Sequence, residues 1–182
     1  MTNHLNEVTL NSQVMFEGKI IHVQKDDVQL EDGSKAFREV VRHSGGVCIL
    51  ALTDKEEVLL VKQFRYPHGA VTIELPAGKL EYGESHETCG KRELLEECGC
   101  TADSFIYLGK LFPTPAYCSE VIHMYLAKGL HFGKQDLDTD EFLDVEKMPF
   151  EEAISKVLNG EFPDAKTQIA ILKYAVMRNQ ES

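Results

Sequence analysis

The stretch Gly78-Lys-Leu-Glu-Tyr-Gly-Glu-Ser-His-Glu-Thr-Cys-Gly-Lys-Arg-Glu-Leu-Leu-Glu-Glu-Cys-Gly-Cys100 decides how this chain is read. It predicts a helix that opens near Ser85, a good N-cap, and closes at Gly99, the residue type favoured just past a helix C-terminus. On that helix Glu93 and Glu97 stand four residues apart, and Glu93 and Glu96 three apart, so their carboxylates share one face. Like charges at those spacings repel, so a cation is expected among them. Hard divalent ions take oxygen ligands and bind through a few carboxylates together with substrate phosphates.

Outward from this segment the chain has the make-up of one globular domain with a small appended element. Its 182 residues are 43% hydrophobic and carry a net charge of -11. That balance argues against a broad nucleic-acid or anionic-membrane surface, which needs an excess of Lys and Arg. No apolar run is long enough for a membrane helix, and the N-terminus lacks the order of a secretion signal, so a cytoplasmic protein is expected. The five cysteines include no Cys-x-x-Cys pair and read as reduced packing residues. The seven histidines are scattered, with no pair at a helical ligand spacing, and no Ser or Cys carries a nucleophile signature.

Strand signals precede the acidic helix. Residues 14 to 43 read as a hairpin turning at Glu31-Asp32-Gly33-Ser34, because Asp-Gly between alternating segments favours a tight turn. Gly46 to Thr53 and Val58 to Arg65 are apolar runs of strand length that look buried on both faces, and Val71 to Leu75 is a further strand stopped by Pro76-Ala77-Gly78. Downstream, Phe105 to Phe112 and Val121 to Ala127 read as strands joined by the loop Pro113 to Glu120. A short strand near Phe142 to Val145 and helices over 151–158 and 166–177 follow. The last helix is capped by Asp164, with Ile169, Leu172, Ala175 and Val176 as its apolar stripe. The order implies α/β (α+β) layers with helices covering a central sheet.

The acidic segment resembles the Nudix box: Gly78, five residues, Glu84, seven residues, Arg92-Glu93, an aliphatic Leu94, Glu96-Glu97, one residue, then Gly99. Cys100 stands where an aliphatic residue is commoner, and Gly90 inside the helix costs about 1 kcal/mol relative to Ala. The resemblance covers roughly residues 45 to 175 and implies an α/β/α sandwich with a mixed central sheet. Four pieces together resemble the ADP-ribose pyrophosphatase branch: the N-terminal hairpin, Gln63-Phe64-Arg65, Glu74-Leu75-Pro76-Ala77-Gly78, and a Pro-rich loop with Pro115. That likeness implies division into a hairpin element, 1–44, and a catalytic domain, 45–182. It further implies a homodimer in which the hairpin helps to close the substrate pocket; the alternative is an ordinary edge hairpin of a monomer.

By the same resemblance Glu93 and Glu97 are the main metal ligands, Glu96 is a ligand or its supporting partner, and the Ala77 carbonyl completes the site. The ion is Mg2+, with Mn2+ equally suited to such ligands. Arg92 pairs with a glutamate such as Glu84. Glu120 is the residue expected to orient or deprotonate the attacking water, or else an exposed loop glutamate. Arg65 and Arg42 are candidate phosphate contacts, Phe37 a candidate stacking partner for adenine, and Glu74 a substrate contact or a cap on the sheet. Their other readings are a salt-bridged arginine at a strand end and a phenylalanine of a small core. The activity implied is hydrolysis of ADP-ribose to AMP and ribose 5-phosphate. Another nucleoside diphosphate sugar such as GDP-mannose, or a dinucleotide, is the alternative substrate, since Ala116-Tyr117 replaces the Gly-aromatic pair commoner in that branch. A non-catalytic ADP-ribose sensor is the remaining alternative, and the intact Glu93, Glu96 and Glu97 stand against it.

Overall fold

A computed structural model describes residues 4–137, 139 and 141–180. The chain folds as two compact units, Met1–Gly45 with Phe112–Glu120, and Gly46–Leu111 with Val121–Ser182.

The first unit is built on a three-stranded antiparallel sheet of β1 (Val8–Glu17), β2 (His22–Gln29) and β3 (Lys35–Arg42) in that order. The turn between β2 and β3 sits at the Asp-Gly, with Gly33 at φ +84° and Asp32 accepting the Ser34 N–H at 2.9 Å. The sheet exceeds the expected hairpin by one strand, β1, which begins at Val8 rather than near residue 14. Every residue of β1 is exposed, so it lacks the one-sided burial that makes a strand visible in sequence. The Pro-rich segment runs alongside β3: the Val41 N–H donates to Tyr117 O at 2.7 Å and the Ser119 N–H to Val41 O at 2.9 Å.

The second unit layers two sheets with three helices. β4 (Gly46–Ala51), β7 (Ala77–Lys79), β8 (Cys100–Leu111) and β9 (Ile122–Phe132) form a mixed sheet in the order β7-β4-β9-β8, in which β4 and β9 are parallel and the other pairs antiparallel. β5 (Glu57–Arg65), β6 (Ala70–Glu74) and β10 (Leu143–Pro149) form an antiparallel sheet in the order β10-β5-β6. The helices are α1 (His86–Cys98), α2 (Phe150–Leu158) and α3 (Ala165–Gln180). β4 is buried along its whole length and explains the layering. Val47, Ile49 and Ala51 pack with Cys89, Leu94 and Cys98 of α1, while Cys48, Leu50 and Leu52 pack with Phe150, Ala153, Ala170, Ile171 and Tyr174 of α2 and α3. Alternation along one strand thus feeds two cores, which makes the unit an α/β/α sandwich.

The buried face of α3 differs from the stripe expected for it. Thr167, Ala170, Ile171 and Tyr174 face the core, whereas Ile169 and Val176 are exposed and Leu172 and Ala175 only partly covered. The helix is rotated because Thr167, a polar residue, is drawn inward by a hydrogen bond to the Leu75 backbone. Among the described residues no helix is long and apolar enough to cross a membrane.

Candidate active site

The site is organised by α1, whose two ends are fixed locally. Ser85 Oγ accepts the Thr88 N–H at 3.1 Å, and Gly99 adopts φ 61° so that its own N–H returns to Leu95 O at 2.8 Å. The segment after β9 then serves the last carbonyls of the helix: Gln135 Nε2 donates to Glu97 O at 2.5 Å and the Asp136 N–H to Glu96 O at 3.1 Å.

Between these ends Cys89, Leu94 and Cys98 point into the core, and the helical period turns Glu93 and Glu97 toward β7. Glu93 is 7% exposed and Glu97 3%. A methyl group on Gly78 would overlap the Glu93 carboxyl, so the glycine leaves the cradle that this carboxylate fills. Glu97 Oε2 accepts the Ala77 N–H at 2.9 Å. One guanidinium joins the remaining acids. Arg92 Nε and Nη2 grip Glu84 at 3.0 Å each, and Nη1 reaches Glu93 Oε1 and Glu96 Oε2 at 2.8 Å each. Nη2 also donates to Lys79 O at 3.2 Å, tying the loop to the helix.

Burial pushes the Glu93 carboxyl up to about 7 against the opposing pull of Arg92, with Glu96 and Glu141 adding repulsion. Burial likewise pushes Glu97 up to about 8, opposed by the Ala77 N–H and reinforced by Glu93 and Glu141. The hydrogen bonds from Arg92 hold Glu84 below the usual carboxylate range. Two buried acids that resist ionisation mark a place where more positive charge would be welcome. Among the described residues no three carboxylate, imidazole or thiol groups are yet gathered as a metal cage. The donors available, the carboxylates of Glu93, Glu96 and Glu97, are all oxygens, so by its chemistry the set fits a hard divalent cation.

Glu141 was not anticipated from sequence. It follows an irregular stretch after β9 and sits in no motif, but its charge bears on both Glu93 and Glu97. The other candidates have these surroundings. Arg65 gives Nε and Nη2 to Glu74 at 2.8 and 2.7 Å, and Glu74 also accepts Thr72 Oγ1 at 2.6 Å and Lys166 Nζ. In the first unit Arg42 bonds Gln24 Oε1 at 2.9 Å and Asp26 Oδ2 at 3.3 Å. There too Phe37 is exposed with Lys25 Nζ 5.0 Å from its ring centre, and Glu120 lies 3.6 Å from His43 Nδ1.

Buried glutamates turned by one helix onto a glycine-bearing strand end give the dense oxygen-donor site that metal-assisted hydrolysis of a phosphoanhydride requires. Residues 42–169 match the NUDIX domain model and residues 7–41 the nucleoside diphosphate sugar hydrolase N-terminal domain model, so the chain belongs to the Nudix hydrolase family. It is 40% identical to an ADP-ribose pyrophosphatase of Bacillus subtilis (strain 168), covering 92% of this chain and 91% of the relative. It is 36% identical to a methanol dehydrogenase activator of Bacillus methanolicus over 91% of this chain and 90% of that one. A crystal structure of an ADP compounds hydrolase matches with a TM-score of 0.86 over 98% of this chain and 97% of its own, at 20% identity, a likeness of fold alone. Divalent metal ions are the cofactors the family generally uses.

Proposed function

We propose that this protein hydrolyses the pyrophosphate bond of ADP-ribose to AMP and ribose 5-phosphate, using Mg2+ and acting as a cytoplasmic homodimer. The observation that carries the reading is the complete set of box side chains converging on one cradle: Glu93 against Gly78, Glu97 on the Ala77 N–H, and Glu84, Glu93 and Glu96 on Arg92. The near full-length likeness to an ADP-ribose pyrophosphatase supports the substrate.

A bound divalent ion would neutralise pyrophosphate charge and lower the pKa of a coordinated water. In this reading Glu93 and Glu97 hold it, together with Glu96 and the Ala77 carbonyl. Arg92 keeps these carboxylates from repelling one another and holds the loop bearing Glu84 to the helix. A general base must stand close to that water without being a principal ligand. Glu120 is one candidate. Glu141, whose charge bears on Glu93 and Glu97, is a second.

Arg65, Arg42, Phe37 and Glu74 are taken as the substrate contacts. Arg65 is suited to phosphate with its plane braced by Glu74, and Phe37 is exposed and able to stack. The homodimer reading is supported by β1, which exposes Val8, Leu10, Val14, Met15 and Phe16 along an outer strand. Another nucleoside diphosphate sugar is the second reading, favoured by Ala116-Tyr117 in the Pro-rich loop.

The test is product analysis in 18O-labelled water with Mg2+, offering ADP-ribose beside GDP-mannose, diadenosine polyphosphates and NADH, and repeating with Glu97→Gln. Release of AMP and ribose 5-phosphate that collapses in the variant bears the reading out. Cleavage of another compound alone moves the substrate, and tight binding of ADP-ribose without cleavage replaces the enzyme with a sensor.

A further inference from the structure

Glu74 to Ala77 are four consecutive residues, each anchored by a separate contact. The Glu74 carboxylate meets Lys166 Nζ, the Leu75 N–H donates to Thr167 Oγ1 at 2.9 Å, Pro76 O accepts the Ile49 N–H at 2.8 Å, and the Ala77 N–H donates to Glu97 at 2.9 Å. Two of these four ties come from the first turn of α3. That turn is itself locked by Asp164, whose carboxylate accepts the Thr167 N–H and Lys166 Nζ, each at 2.9 Å. We infer that Lys166 and Thr167 are positioning residues for the metal-binding strand end, setting the height at which Ala77 presents its peptide to Glu97. The inference rests on the metal-dependent reading of the site.

The chemistry of the two side chains argues for this role over simple packing. Thr167 is fully buried among Ala170, Ile171 and Tyr174, where a valine of the same shape would bury the same area without desolvating a hydroxyl. Its hydroxyl is used to hold a backbone N–H that strand pairing does not satisfy. Lys166 gives up most of its hydration to stand between Glu74 and Asp164, a desolvation that packing a wholly apolar cluster in the same volume would not require. Both side chains fix the position of a segment, and that segment ends at Ala77.

The experiment measures Mn2+ binding by the loss of the free-ion EPR signal, beside thermal unfolding and steady-state kinetics on the substrate found by product analysis. The proteins compared are wild type, Glu97→Gln, Thr167→Val, Thr167→Ser and Lys166→Met. Thr167→Val and Lys166→Met are expected to bind Mn2+ about tenfold more weakly, the loss usual for a partner that orients a ligand. Thr167→Val should also need correspondingly more metal for half-maximal rate, with KM for the substrate unchanged; for Lys166→Met, whose partner Glu74 braces Arg65, the metal requirement alone is the readout. Thr167→Ser, which keeps the hydroxyl, is expected to restore wild-type binding. If both variants melt earlier but the folded proteins bind Mn2+ and turn over as wild type does, while Glu97→Gln does not, the inference is overturned and the metal site stands. If wild type neither binds Mn2+ nor cleaves any substrate, the metal reading fails and the inference falls with it.

Discussion

Gly78 and Glu93 share one volume: the space a side chain at Gly78 would take is occupied by the Glu93 carboxyl group. The glycine is therefore a feature of the site as well as the end of a strand. In Gly78→Ala the flexible end of Glu93 gives way first, because the backbone on both sides is held by β4. The fold is expected to survive, with metal affinity and kcat falling 10- to 100-fold. Mn2+ titration and kinetics of the purified variant check this, and a variant with wild-type metal affinity would show that Glu93 is not a ligand.

Arg92 is bonded to three glutamates at once, and its fork geometry is what a lysine cannot copy. Arg92→Lys is expected to keep most of the stability, since a positive charge remains, but to lose roughly 100-fold in kcat/KM as Glu84 and Glu96 drift. Arg92→Ala leaves the acids unopposed and should cost about 2 kcal/mol of stability as well. Urea unfolding and kinetics on both variants separate the two effects.

The box helix was legible in sequence from end to end, because Ser85 and Gly99 are local signals and the glutamate spacing is a property of one helix. So were β4, buried along its whole length, and the Val58–Val61 part of β5, whose burial on both faces shows as unbroken apolar runs; beyond Val61 the expected burial of β5 gives way to half-exposed Lys62, Gln63 and Arg65 and an exposed Phe64. What escaped depends on contacts distant in sequence. Nothing near Thr167 says that it will bond Leu75, so the buried face of α3 was read one step off. The pairing of Arg65 with Glu74 depends on β5 and β6 lying side by side, and the charge of Glu141 bears on Glu97 from a segment with no pattern of its own.

Gly90 shows how tertiary packing reverses a propensity. On an isolated helix Gly→Ala would gain about 1 kcal/mol. Here a Cβ at Gly90 would come within 2.8 Å of Phe105 Cζ on β8, against a ring already stacked 4.5 Å from Tyr125. Overpacking of this kind costs typically 1–3 kcal/mol, so Gly90→Ala is expected to be destabilised by about 1 kcal/mol net. Adding Phe105→Leu should return part of that loss. Melting temperatures of the single and double variants test the coupling, and a Gly90→Ala protein more stable than wild type would refute it.

Glu74 gives the chain a defined acid sensitivity. Burial alone would raise this carboxyl, but the hydrogen bonds from Arg65, the charge and hydrogen bond of Lys166 and the Thr72 hydroxyl outweigh it and bring the group down to about 2, from 4.5 when free. Because the folded value is the lower one, protonation favours the unfolded chain. The contribution is complete above pH 4.5 and is lost as pH falls toward 2. At 1.36 kcal/mol for each pH unit in that window, a fall from pH 5 to pH 3 should remove roughly 2 kcal/mol through this residue. Glu74→Gln leaves Arg65 and Lys166 in place without the titrating partner. It is expected to be less stable than wild type at pH 6, and the gap should narrow by about 2 kcal/mol at pH 3. Urea unfolding of both proteins at pH 6, 5, 4 and 3 measures that gap, and a difference that stays constant with pH would show that the Glu74 carboxylate gains nothing from its cationic neighbours.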